Sequence, residues 1–159
     1  MPRPVAYRRW RAAGWAAVAL AAASAASAQS EGGLYIAGAG ASFQAAAQRA
    51  LAQNPAGRRF FLLALPPEST ALTTRASTAQ AALRDRVRRS NGVLFVCQRD
   101  IDSGRVPAAL LAPGVVAVRG WPASQAGDLS DSARALAGED PALLPVSNEA
   151  LRRLRSSCS

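Results

Sequence analysis

The 159-residue chain contains no histidine, and every one of its nineteen basic residues is arginine. The absence of imidazole removes three classes of chemistry together: His general-base catalysis, Ser-His-Asp triads and His-containing metal sites. Two cysteines, Cys97 and Cys158, cannot supply a four-thiolate zinc site. No stretch beyond the first thirty residues is both long and uncharged enough to span a bilayer, which takes about 20 apolar residues. These gaps leave a cofactor-free reading, with no metal and no stable membrane insertion of the mature chain.

Half of the residues are apolar, enough for one compact domain. The first 28 residues read as a cleavable signal peptide. MPRPVAYRRWR is a basic n-region, AAGWAAVALAAA is a short apolar segment, and Ala26-Ser27-Ala28 fits a signal-peptidase site. The mature domain is then expected to start near Gln29, run to Ser159 and reside in the periplasm or outside the cell. Ordinary Sec export is favoured over the twin-arginine route, because Tyr7 precedes Arg8-Arg9 and Arg11 follows two places later. Loss of Arg3, Arg8, Arg9 and Arg11 with the leader takes the formal charge from +9 to +5. Arginine without lysine, beside abundant alanine, reflects a GC-rich coding bias rather than a nucleic-acid surface, and export argues against nucleic acid as partner. The run Arg84, Arg86, Arg88, Arg89 reads as a solvated helix face, with an anionic ligand or an acidic protein surface as the alternative.

Along the mature chain, short apolar runs alternate with helical periods. Leu34 to Ala37, Phe60 to Leu65, Val93 to Val96 and Val115 to Val118 read as buried strands. Between them, Ser42 caps a helix through about Gln53 with Phe43, Ala46, Ala47 and Ala50 inward. Thr78 to Arg89 is a second helix with Ala79, Ala82, Leu83 and Val87 inward, stopped by Asn91-Gly92. Gln98 to Arg105 reads as a loop leading into a helical turn at Pro107 to Leu111. The tail from residue 120 is harder to place: a polar linker, a helix over Leu129 to Leu136, and a last helix capped by Ser147 and running to about Ser156. Glu149 sits near its positive end and Arg152, Arg153 and Arg155 near its negative end. The fold class is α/β: a three-layer α/β/α sandwich on a mostly parallel sheet of about four to five strands, with right-handed crossovers.

Gly38-Ala39-Gly40 evokes a dinucleotide-binding turn, but Phe43 stands where a third small residue is needed. A glycine-eased strand-to-helix turn is the simpler reading, with a helix amino terminus open to a small anion. Ser69, Thr70, Thr73 and Thr74 read as loop caps, since no base accompanies them.

Cys97 is left as the chemically interesting side chain, at the carboxyl end of the third strand, where open α/β sheets bind ligands. Arg99 and Arg105, with Arg75 from the loop after the second strand, are candidates to stabilise a thiolate or bind an anion; Asp100 and Asp102 oppose them. In an oxidising compartment Cys158 is either a disulfide or resolving partner of Cys97, or both thiols are free, or they pair between molecules.

The segment GVLFVCQRDIDSGRVPAALLAPGVVAVRG, Gly92 to Gly120, resembles the DsrE/DsrF-like sulfur-transfer family, especially its small exported members. The likeness lies in a strand ending in Val-Cys, a polar segment, a Leu-Leu-x-Pro-Gly turn and a Val-rich strand ending in Gly. It implies that Cys97 accepts sulfur as a persulfide and passes it between a donor and an acceptor, either proteins or small sulfur compounds. It also implies homo-oligomers. The chain departs from the pattern at Pro66-Pro67-Glu68 and in a tail without the aromatic-rich ending of exported relatives. The competing expectation is a non-catalytic periplasmic module that binds a ligand or partner and uses a Cys97–Cys158 disulfide structurally.

Overall fold

The computed structural model describes residues 31–122 and 134–159. The expected leader and most of the expected helix over 129–136 lie outside the described residues. Four strands, β1 (Leu34–Ala37), β2 (Phe60–Ala64), β3 (Gly92–Cys97) and β4 (Val115–Val118), form one all-parallel sheet in the order β1-β2-β3-β4. Each strand is an apolar run, as burial on both sheet faces requires. Phe60 to Ala64 is wholly buried.

The period-two alternation of strands divides these runs between two cores. Leu62, Leu94 and Val96 face helices α1 (Phe43–Gln53) and α2 (Thr78–Arg89), whose Phe43, Ala46, Ala47, Ala50 and Val87 complete one cluster. Phe61, Leu63, Phe95 and Cys97 face the opposite way and are covered by α4 (Asn148–Cys158) through Ala150, Leu154 and Cys158. The Phe61 and Phe95 rings stack at 5.9 Å in this second core. Neighbouring parallel strands joined by crossovers of one hand put α1 and α2 on the same face. The other face is covered by the last helix together with Leu144 and Ala135.

Local chemistry accounts for the helix boundaries. Ser42 accepts from the Ala45 N–H at the start of α1, and Ser77 and Gln80 form a reciprocal capping box on α2. Asn91 ends α2 at a φ of 67°, a left-handed position that asparagine tolerates. Ser147 caps α4, and the Glu31 carboxylate accepts from the Val146 and Ser147 N–H groups beside that cap.

Three local expectations are corrected. Ala79 and Ala82 are exposed; of α2's apolar residues Val87 is buried and Leu83 half-buried. The register turns Arg84 inward instead, and its Nη1 donates to the Ala71 and Thr73 carbonyls. Residues 98–102 form a short helix α3 (Gln98–Asp102) rather than a loop. Helix α4 continues to Cys158, two residues beyond its expected end.

Candidate functional site

The strand order bears on where a ligand crevice can form. Ligand crevices in open α/β sheets open where the strand order reverses and neighbouring crossovers diverge to opposite faces. Here the order runs from β1 to β4 without reversal, so the sheet has no such divergence. The carboxyl edge at Cys97 is filled by residues 157–159.

Cys97 and Cys158 are joined in a disulfide, with an S–S distance of 2.02 Å and Cα atoms 5.1 Å apart across 61 residues of sequence. Cys97 ends β3 with no exposed surface, and Cys158 occupies the last turn of α4 at 3% exposure. The bridge therefore ties the centre of the sheet to the helix that covers its second face. The Cys97 Sγ lies 3.7 Å from the Ser157 carbonyl oxygen.

Arg99 belongs to this cluster. Its Nη2 donates to the Ser157 carbonyl at 2.8 Å and its Nη1 to Ser159. A guanidinium at the carboxyl end of α4 satisfies carbonyls left without helical partners and opposes the negative end of the helix dipole. Arg105 is placed differently: its Nη2 is 3.0 Å from Asp100 Oδ1, and Asp100 is 1% exposed. Arg99 Nε lies 3.7 Å from the same oxygen, so Asp100 links the two arginines. Arg75 is exposed; its backbone N–H bonds Thr73 Oγ1, and no hydrogen bond or ion pair among the described residues joins it to Cys97, Arg99 or Arg105. Cys97, Cys158 and Arg99 are thus brought together directly, Arg105 through Asp100, and Arg75 not at all.

Two carboxylates escaped sequence reasoning. Glu139, from the polar tail, meets Arg155 in a two-point ion pair, Nη1 to Oε1 and Nη2 to Oε2, both 2.7 Å. Arg155 has no exposed surface, and its guanidinium also donates to the Arg119 and Arg134 carbonyls and lies 5.9 Å from the Trp121 ring centroid. Burial pushes the Glu139 carboxyl up. The Arg155 bonds and the Arg119 and Leu136 N–H groups outweigh it and hold the carboxyl below its ordinary value. The available signal was that Arg155 falls on α4's apolar stripe of 150, 151, 154 and 158.

Glu68 is the second. Its Oε2 accepts from the Phe43 N–H at 2.7 Å, at the first turn of α1. A carboxylate from the chain thus sits where the sequence suggested a small exogenous anion. Gly38 and Ala41 pair with each other across the preceding turn, and Phe43 is fully buried in the core. Thr73 Oγ1 donates to the Thr70 carbonyl and accepts from Arg75 N–H, a loop cap.

Fold and site together define a four-stranded parallel α/β domain whose terminal helix is fastened to the sheet by a buried disulfide. Comparison of the chain with protein-family models, curated proteins and solved structures returned no match.

Proposed function

We propose that the chain is an exported DsrE/DsrF-like domain acting as a non-catalytic ligand- or partner-binding module, with Cys97–Cys158 as its structural cross-link. The observation that carries this reading is that both sulfurs are buried and bonded to each other. Persulfide formation requires a thiolate to attack a sulfane sulfur. A bridged, unexposed Cys97 has no lone thiolate and no approach for a donor.

A second reading, sulfur relay after reduction, is favoured by the position of Cys97 at the carboxyl end of β3 with Arg99 two residues on. A dithiol reductant would first open the bridge. The Cys97 thiolate would then attack the outer sulfur of a persulfide donor, releasing the donor's thiolate, and an acceptor thiolate would later take that sulfur and return Cys97 as thiolate.

Peptide mapping under non-reducing conditions of protein recovered from its own compartment, followed by mass spectrometry after exposure to polysulfide, separates the readings. The structural reading expects a quantitative bridge and no added sulfur on Cys97 before or after mild reduction. Sulfur gained on Cys97 in reduced protein would move the assignment to relay. A substantial fraction of unbridged Cys97 in native material would overturn the structural reading.

A further inference from the structure

Among the described residues no strand pairs with the outer edge of β1. Gly33 O accepts from the Phe61 N–H at 3.0 Å and Ala37 O from the Leu65 N–H at 2.9 Å, so the odd-numbered residues of β1 bond inward to β2. Alternation in a parallel ladder then turns the N–H and C=O of Leu34 and Ile36 outward, and β1 is the last strand of the sheet among the described residues. Such a row of backbone groups is a template for another strand. Natural edges are commonly blunted by proline, inward charge or a bulge; Leu-Tyr-Ile-Ala carries no proline or charge and keeps an unbroken register.

Beside this edge runs a groove of about 490 Å³ whose walls include Tyr35, Ile36 and Gln53. Arg49 of α1 and Arg153 of α4 also line it. The two helices cover opposite faces of the sheet, so one guanidinium stands on each side of the open edge. Both arginines are exposed, and neither has an ion-pair partner among the described residues.

We propose that this edge binds an extended acidic segment of a partner protein, which adds to the sheet as a fifth strand beside β1. Its backbone pairs with the outward groups of Leu34 and Ile36, the strand-addition mode of peptide recognition. Because side chains on a strand alternate between faces, two consecutive acidic residues reach Arg49 on one face and Arg153 on the other. Apolar neighbours in the segment pack on Tyr35, which belongs to the α1 side, and Ile36, which belongs to the α4 side. A second copy of this chain fits worse, since pairing two β1 edges sets the same two arginines against each other. The site adds a partner class to the binding-module reading without depending on it: the Cys97–Cys158 bridge lies two strands away.

The test is a titration of the oxidised mature protein with three blocked hexapeptides, Thr-Val-Glu-Asp-Val-Thr and its Gln-Asn and Lys-Arg counterparts, read by amide hydrogen exchange and NMR shifts. The Glu-Asp peptide is expected to slow exchange at Leu34 and Ile36 by about ten-fold or more at saturation. Arg49→Ala and Arg153→Ala should each weaken binding by about three-fold, and raised salt should do the same. The charge-reversed protein, Arg49→Glu with Arg153→Glu, should prefer the Lys-Arg peptide. Unchanged exchange at Leu34 and Ile36 with millimolar Glu-Asp peptide overturns the proposal, as does equal affinity for the Gln-Asn peptide. Concentration-dependent protection of the same two amides without peptide would assign the edge to a second copy and likewise overturn it. None of these readouts changes with the chemistry assigned to Cys97, so the two readings fail separately.

Discussion

Gly120 lies directly against the backbone of Ser159: a methyl group on its Cα would stand 2.4 Å from both the Ser159 N and Cα, and 2.5 Å from the Cys158 carbonyl carbon. The last two residues can approach β4's end because this position has no side chain. The obstructing atoms are backbone, which cannot rotate away as a flexible side chain would. Gly120→Ala should therefore displace the carboxyl terminus and strain closure of the Cys97–Cys158 bridge. The expected cost is about 1 to 3 kcal/mol in urea unfolding, accompanied by slower loss of titratable thiol during oxidative refolding. A variant that matches the parent in both measurements would show that the terminus does not need this approach.

Breaking the disulfide should act mainly on the second core. The bridge closes a loop across 61 residues, and constraint of the unfolded chain by a loop of that size is worth about 4 kcal/mol in the chain-entropy model. Cys158→Ser should lower stability by roughly that amount. Leu151 and Leu154 of α4 are buried, Leu154 within the second core, so their amides should lose exchange protection before those of α1. Uniform loss of protection across α1, α2 and α4 would argue that the bridge stabilises the whole molecule rather than this layer.

Glu68 replaces an exogenous anion at the start of α1. Its hydrogen bond to the Phe43 N–H joins the turn after β2 to the first turn of the helix. A carboxylate there satisfies an orphan donor and faces the positive end of the helix dipole. Glu68→Ala should cost about 1 kcal/mol, and Glu68→Gln less, because its amide oxygen can still accept. Equal losses in the two variants, measured by chemical denaturation, would remove the hydrogen bond as the cause.

The strands and the first two helices were legible because each carries its own local signal. Phe60 to Ala64 is an uninterrupted apolar run, and Ser42 and Ser77 mark helix starts with a side-chain acceptor at the right offset. Cys97 at the end of β3 was accessible from chain order, whereas the bridge to Cys158 was one of three states the sequence left open. Arg84 was misread as part of a solvated face, and Arg155, rightly placed near the negative end of α4, gave no sign of its burial, for a shared reason: the partners of both guanidinium groups lie outside their own helices. Those partners are the Ala71 and Thr73 carbonyls and the Glu139 carboxylate. They lie outside α2 and α4, in a short 3-10 turn and irregular chain that carry no long periodicity. The role of Gly120 was hidden too, since the atoms it accommodates come from residues 158 and 159.

The Arg155–Glu139 pair should make the tail a point of sensitivity to both mutation and acid. Arg155 is fully buried, and the Glu139 side chain is 4% exposed. Glu139→Gln leaves the guanidinium charge without its counter-ion, a change that typically costs about 3 to 5 kcal/mol for a buried pair. Replacing both partners by apolar residues, Arg155→Met with Glu139→Leu, should recover most of that loss, because no uncompensated charge remains. The pH dependence follows from the carboxyl being held below its ordinary value of 4.5. A carboxyl depressed in the folded state stabilises the protein above its unfolded pKa, and that contribution disappears as pH falls through the folded value. Unfolding free energy should therefore drop more steeply below about pH 4.5 in the parent than in Glu139→Gln, with the two curves converging in acid. Parallel curves across that window, followed by denaturant titration, would show that other carboxylates carry the acid response.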